Sequence, residues 1–109
     1  MFLQQFRKDL PDTNTFTTVN VDGGSNPQGA DEAGIEADLD TQYTVGIASG
    51  VPVTFFSVGE SNPDGIDGFI DIVNSMEKQK VIPNVWTTSY GFNEEDLDAT
   101  ITGSVMISR

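Results

Sequence analysis

Two runs dense in β-branched and aromatic residues, 15–21 (TFTTVNV) and 51–58 (VPVTFFSV), bracket a stretch in which Ile35, Leu39, Tyr43 and Ile47 recur at every fourth position. Strand-like, then helix-like, then strand-like patterning constrains this chain most, because a helix between two strands is the connection that parallel pairing requires. The helix is expected over residues 31–49, with Asp31 as its N-cap and Gly50 just past its end. The run 51–58 is apolar on both of its faces, the look of a strand covered from both sides inside a parallel sheet. A turn cluster at 61–65 follows, and then Ile66, Phe69, Ile70, Val73 and Met76 trace a second amphipathic helix that ends near Lys78 and Lys80. Pro83 opens a third strand, 84–90 (NVWTTSY), which stops at Gly91, with Trp86 read as core beside Val85. A short helix over 1–10, closed by Pro11, precedes the first strand. The acidic opening of 92–109 suggests a third long helix. The expected architecture is α/β: a three-layer, doubly wound parallel sheet with a βαβαβ core and right-handed crossovers, in a single domain.

The charge balance decides which partners such a fold could take. Seventeen acidic against five basic side chains give a net charge of −12, which repels nucleic acid and anionic membrane over the whole surface. Leu, Ile, Val and Phe make up 29 of the 109 residues, about 27%, enough for a core despite that charge. No run approaches the roughly 20 apolar residues of a membrane span, and the polar residues Gln4, Gln5, Arg7, Lys8 and Asp9 interrupt the N-terminal run where a signal peptide would be apolar. Cysteine and histidine are both absent, which removes disulfides, thiolate nucleophiles, the commonest zinc ligand and the usual neutral-pH base. Catalysis, if present, runs on carboxylates, hydroxyls or backbone groups. Asp64, Asp67 and Asp71, and separately Asp22, Asn26 and Asp31, lack the alternating spacing and closing Glu of a calcium loop, so neither a metal nor a cofactor is expected.

The most informative stretch is Glu36–Ala37–Asp38–Leu39–Asp40. Glu36 and Asp40 are four apart, which on a helix puts them on one face about 6 Å apart at Cβ. Like charges there are mutually unfavourable, and two readings follow. Either the two carboxyls share a proton, so that one becomes usable as an acid or base, or they form a solvated acidic face. Spacing alone leaves both open. A pair of carboxyls could also serve a retaining glycosidase, although both acids lie on one helix with no second element across the scissile bond. Ser25, Ser57 and Ser75 have no nucleophile elbow around them and read as structural.

These residues carry a resemblance. The run 34–43 (GIEADLDTQY), followed by 49–55 (SGVPVTF), resembles the sedolisin family, the serine-carboxyl peptidases that include tripeptidyl peptidases. Residues 2–11 (FLQQFRKDLP), 21–26 (VDGGSN) and 87–94 (TTSYGFNE) resemble successive segments of its fungal tripeptidyl peptidase branch, in the same order, so the likeness runs from about residue 1 to 98. The resemblance implies a subtilisin-like fold with a Ser-Glu-Asp triad. Glu36 matches the general base and Asp40 the carboxyl that supports and orients it. Ser89, Tyr90 and Gly91 match the segment lining the substrate cleft. Without that resemblance, the same three residues read as a strand ending in a tight turn, with Gly91 chosen for its backbone angles. The implied substrate is a peptide, and the implied location is extracellular.

The Gly-Thr-Ser-x-Ser string of the nucleophile and the Ser-Gly-Asp-Ser-Gly string of the oxyanion aspartate do not occur in these residues, and ITGSVMISR (101–109) departs from the pattern. The expectation is therefore a truncated segment of a sedolisin-like catalytic domain, inactive by itself. The competing expectation is a small acidic secreted protein that binds carbohydrate or modulates immunity through surface loops such as 22–30. In either case the bare sheet edge and apolar surface of so short a unit favour a homodimer.

Overall fold

A computed structural model describes residues 2–62, 66, 68–93, 95 and 97. Its elements in chain order are α1 (Phe2–Phe6), β1 (Thr17–Val21), α2 (Ile35–Ile47), β2 (Thr54–Val58) and α3 (Phe69–Glu77). β1 and β2 pair in a two-stranded sheet. The pairing is parallel: the Thr17 N–H donates to the Val53 carbonyl at 2.9 Å where the strands begin, and the Gly59 N–H donates to the Val21 carbonyl at 3.0 Å where they end. The described residues thus form a small α/β arrangement. It separates into two compact units, Met1–Asn20 with Ser25–Ser57, and Val21–Gly24 with Val58–Arg109. The helix expected over 92–109 falls mostly outside the described residues, as do Asp64 and Asp67 of the acidic cluster.

In the first unit, the Thr17 and Thr54 hydroxyls lie 3.1 Å apart across the strand pair, and the rings of Phe16 and Phe55 meet edge to face at 5.9 Å. β2 is only half-buried along its length, so the covering on both faces expected of it is not found among the described residues. A two-stranded sheet leaves both strands at an edge, and propensity alone cannot supply the missing layer.

α2 begins later than Asp31 allows. Its N-cap is Gly34, in extended conformation and without a side-chain cap bond, while Glu36 and Asp38 place negative charge in the first turn. That charge complements the positive end of the helix and does by electrostatics what the expected Asp31 cap would have done by hydrogen bonding. Upstream, the Glu32 carboxylate instead accepts from the Gly29 N–H at 2.9 Å. At the other end the helix runs into Gly50, whose φ of +81° suits glycine, as expected.

The side of α2 turned inward differs from the one the sequence suggests. Val45 and Gly46 are the buried residues of the helix, whereas Ile35 is 89% and Ile47 77% exposed and Leu39 and Tyr43 are exposed with them. The reason is geometric. At about 100° per residue the four positions span some 120° of the circumference, one broad face, and Val45 stands roughly opposite its centre, so the four-residue spacing marks an apolar face without fixing that it is the one buried. α1 packs on this helix through Phe2, whose ring lies 5.7 Å from that of Tyr43 and 5.2 Å from that of Phe6. A Cβ on Gly46 would stand 3.1 Å from the Phe2 ring, so the missing side chain lets the two helices approach. The Arg7 guanidinium ties the helices further by donating to the Gly46 carbonyl.

In the second unit, Asp22 (φ +50°) and Gly23 (φ +78°) form the centre of a type I′ turn closed by the Gly24 N–H on the Val21 carbonyl at 2.8 Å. Gly59 lies against this turn so closely that an added Cβ would come within 3 Å of backbone atoms of Asp22, Gly23 and Gly24. α3 starts after Gly68, which takes φ +81°, so Ile66 precedes the helix; it is nonetheless buried, at 4% exposure. The expected third strand is absent. Residues 84–90 have no regular structure, and Val85, Trp86 and Tyr90 are exposed, so Trp86 is not core. The run has the right residue types, but a strand exists only as a rung of a ladder, and no strand other than β1 and β2 occurs among the described residues.

Candidate functional site

Both carboxylates of the EADLD run stand on α2 because that run opens the helix. Glu36 lies in the first turn and Asp40 one turn further on, and both are half-buried. The pair belongs to the first unit. The Thr41 hydroxyl, on the neighbouring row, donates back to the Ala37 carbonyl at 2.6 Å. Val45, the residue that anchors α2, projects about 180° around the axis from Glu36. The two acids therefore share a row of the helix with Tyr43 and Ile47.

Ser89, Tyr90 and Gly91 belong to the second unit and are all exposed. The Tyr90 N–H reaches the Thr88 hydroxyl at 3.4 Å. Gly91 is not among the glycines with positive φ, and an added Cβ would meet nothing within 4 Å. The expectation that its backbone angles require glycine is therefore not met. The segment has its side chains exposed to solvent.

Two hollows border α2. The smaller, of about 250 Å³, lies between α1 and α2 and is walled chiefly by Phe2, Phe6, Tyr43 and Ile47. The larger, of about 590 Å³, lies on the Val45 side and is bordered by acids, amides and phenyl rings, among them Asp12, Glu32, Asp38, Gln42, Phe16 and Phe55. Neither Glu36 nor Asp40 lines either hollow. Sequence reasoning missed the larger one because its wall is assembled from segments far apart in the chain, with no local motif. It placed Asp22 only in a surface loop and in a rejected calcium set, whereas Asp22 is a left-handed residue at the end of β1 with one carboxyl oxygen buried and without a hydrogen-bond partner among the described residues. The dipeptide Asp22–Gly23, a strong type I′ signal, was the available clue.

Among the described residues, no group of three or more acidic side chains is placed to hold a metal ion, and no helix is long and apolar enough to cross a membrane.

Comparison with known proteins gives one consistent direction. A tripeptidyl-peptidase SED2 of Arthroderma otae is 30% identical over 94% of this chain and 19% of its own length. A probable tripeptidyl-peptidase SED2 of Arthroderma benhamiae is 29% identical over the same shares. Tripeptidyl-peptidase 1 of Homo sapiens is 31% identical over 66% of this chain and 13% of its own length. The chain spans about a fifth of the length of the fungal relatives it matches. No family profile matches it, and no solved structure does. The similarity to tripeptidyl peptidases of the sedolisin family extends over most of the chain.

Proposed function

We propose that this chain, similar over most of its length to sedolisin-type tripeptidyl peptidases, is a segment of an acid serine-carboxyl peptidase that acts on peptides outside the cell. The observation that carries the reading is the run Glu36 to Asp40 on one helix, within a similarity that covers 94% of the chain. Glu36 is the general base. As the Oγ of a serine supplied by the rest of the domain attacks the scissile carbonyl, the hydroxyl proton passes to the Glu36 carboxylate and the carbonyl electron pair moves onto oxygen. The same proton then goes to the leaving amine as the C–N bond breaks. Asp40, one turn away, orients Glu36. Ser89, Tyr90 and Gly91 pair with the substrate backbone, and the whole domain has the three-layer, subtilisin-like sheet of which β1 and β2 are two strands. A carboxylate base still accepts protons at about pH 4, where an imidazole is already charged, which suits a site built without histidine.

The 109 residues alone hold neither the serine motif nor the oxyanion motif, so the isolated chain neither hydrolyses a tripeptide reporter at about pH 4 nor takes up a serine-directed fluorophosphonate. Joined to a downstream segment carrying those motifs, it gains activity, and Glu36→Gln then lowers kcat by about 10²–10⁴. Full activity of that variant, or hydrolysis by the isolated chain that Glu36→Gln abolishes, defeats the assignment. A second copy of the chain is the proposed partner, through the apolar residues that α2 leaves exposed.

A further inference from the structure

We propose that the larger hollow beside α2 is a binding site for a small organic cation, an ammonium group carried on an apolar body. Its volume, about 590 Å³, falls in the range of small-molecule sites. Asp12, Glu32 and Asp38 border it, and no lysine or arginine does. Phe2, Phe16 and Phe55 border it too, with Phe16 and Phe55 held edge to face at 5.9 Å. Carboxylates and phenyl rings share one kind of guest: rings cover its apolar body and attract its charge through their faces, while carboxylates accept its N–H groups. An anion is excluded by three like charges. A neutral ligand leaves those charges unused.

Two terms work against the site, and neither reverses it. The side chain of Gln4 donates to one oxygen of Asp12 at 3.1 Å, and the Gly29 N–H donates to one oxygen of Glu32 at 2.9 Å. A carboxylate offers about four acceptor positions, so both keep capacity for an ammonium. The first turn of α2, where Asp38 sits, carries about half a positive charge, which leaves most of three negative charges uncompensated. The hollow lies on the side of α2 away from Glu36 and Asp40, so the proposal stands or falls apart from the peptidase reading.

The test is an amide-resolved NMR titration of the 109-residue chain with phenethylammonium, 3-phenylpropionate and cellotetraose. Phenethylammonium is expected to shift the amides of Gln28, Asp38, Thr41 and Gln42 saturably, and 3-phenylpropionate to bind at least about tenfold more weakly. Adding salt weakens the cation's binding. Glu32→Gln with Asp38→Asn lowers its affinity by about tenfold or more and leaves amides outside the hollow unmoved. Should the double variant lose its fold, Glu32→Gln alone, at an exposed position, is read the same way. Equal affinity for cation and anion, absence of saturation, or a response to the saccharide alone overturns the proposal.

Discussion

Three glycines separate the physical reasons a chain keeps a residue without a side chain. Gly59 has ordinary backbone angles, but a Cβ there would press on the backbone of the Asp22–Gly24 turn. Overpacking against atoms that cannot rotate away costs about 1–3 kcal/mol, so Gly59→Ala is expected to lower the urea midpoint by that amount. Gly50 has open space around it and a φ of +81°; Gly50→Ala is expected to cost about 1–2 kcal/mol from the left-handed angle alone, with Gly50→Asn costing less. Gly91 has neither constraint, and Gly91→Ala stays within about 0.5 kcal/mol in this chain. Any loss of turnover from Gly91→Ala in a complete enzyme would then report on substrate rather than fold. Arg7 and Asp9 add a pH-dependent feature. The hydrogen bonds Arg7 donates hold the Asp9 carboxyl below its ordinary 3.8. A depressed carboxyl contributes stability above its unfolded value and loses it as pH falls through the folded one, so Asp9→Asn is expected to lower stability slightly at neutral pH, to leave it unchanged at pH below the folded value, and so to flatten the acid limb between them. At this scale the sequence was legible where a glycine closes a helix, as at Gly50, and the turn signal of Asp22–Gly23 was present but unread. The sequence was silent where a residue is fixed by something distant, as Gly59 is by a turn some 35 positions earlier.

At the scale of elements, the contrast within α2 supplies the test. Ile35 is among the most exposed large apolar side chains, and Val45 is one of two buried hydrophobics among the described residues. Ile35→Gln is therefore expected to leave thermal unfolding within about 0.5 kcal/mol. Val45→Ala, which removes two buried methyl groups at about 0.8 kcal/mol each, costs roughly 1.5 kcal/mol. The reverse ranking would mean the stripe of Ile35, Leu39, Tyr43 and Ile47 is covered after all. The existence, type and order of α1, β1, α2, β2 and α3 could be read from the sequence because each depends on residue spacing within a few turns. Two things could not. The orientation of α2 depends on which of its sides the rest of the chain covers, that of Val45 and not that of the four-residue stripe, and its contact with α1 rests on Gly46, which a search for large apolar side chains passes over. Residues 84–90 have the composition of a strand, but composition does not supply a neighbour. Glu36 and Asp40 were legible as two acids on one helix through local spacing, whereas the walls of the larger hollow come from α1, the stretch before β1, the loop at 25–28, α2 and β2 and left no local trace.

For the whole molecule, the governing opposition is between apolar surface and charge. Exposed Ile35, Tyr43, Ile47 and Phe6 favour pairing with a second copy, and two chains of −12 repel. The Debye length falls from about 30 Å at 0.01 M salt to about 8 Å at 0.15 M, so the dimer proposed above is expected to grow over that range in sedimentation velocity. It should grow again as pH approaches the isoelectric point near 4.1. A monomer of 11.8 kDa at every salt concentration and pH would refute it. The parallel pairing of β1 with β2 also sets the order of events in time. Thr17 finds its partner only at Val53, so the first rung of the sheet closes a loop of some three dozen residues before any neighbouring rung can help. Closing such a loop costs about 3 kcal/mol of chain entropy. On the ribosome, β1 must wait unpaired until the whole of α2 and β2 has been made. Deleting most of 24–34 shortens the loop by about a quarter and returns about 0.25 kcal/mol, so the deletion is expected to quicken refolding by roughly 1.5-fold in stopped-flow mixing and leave the unfolding rate nearly unchanged.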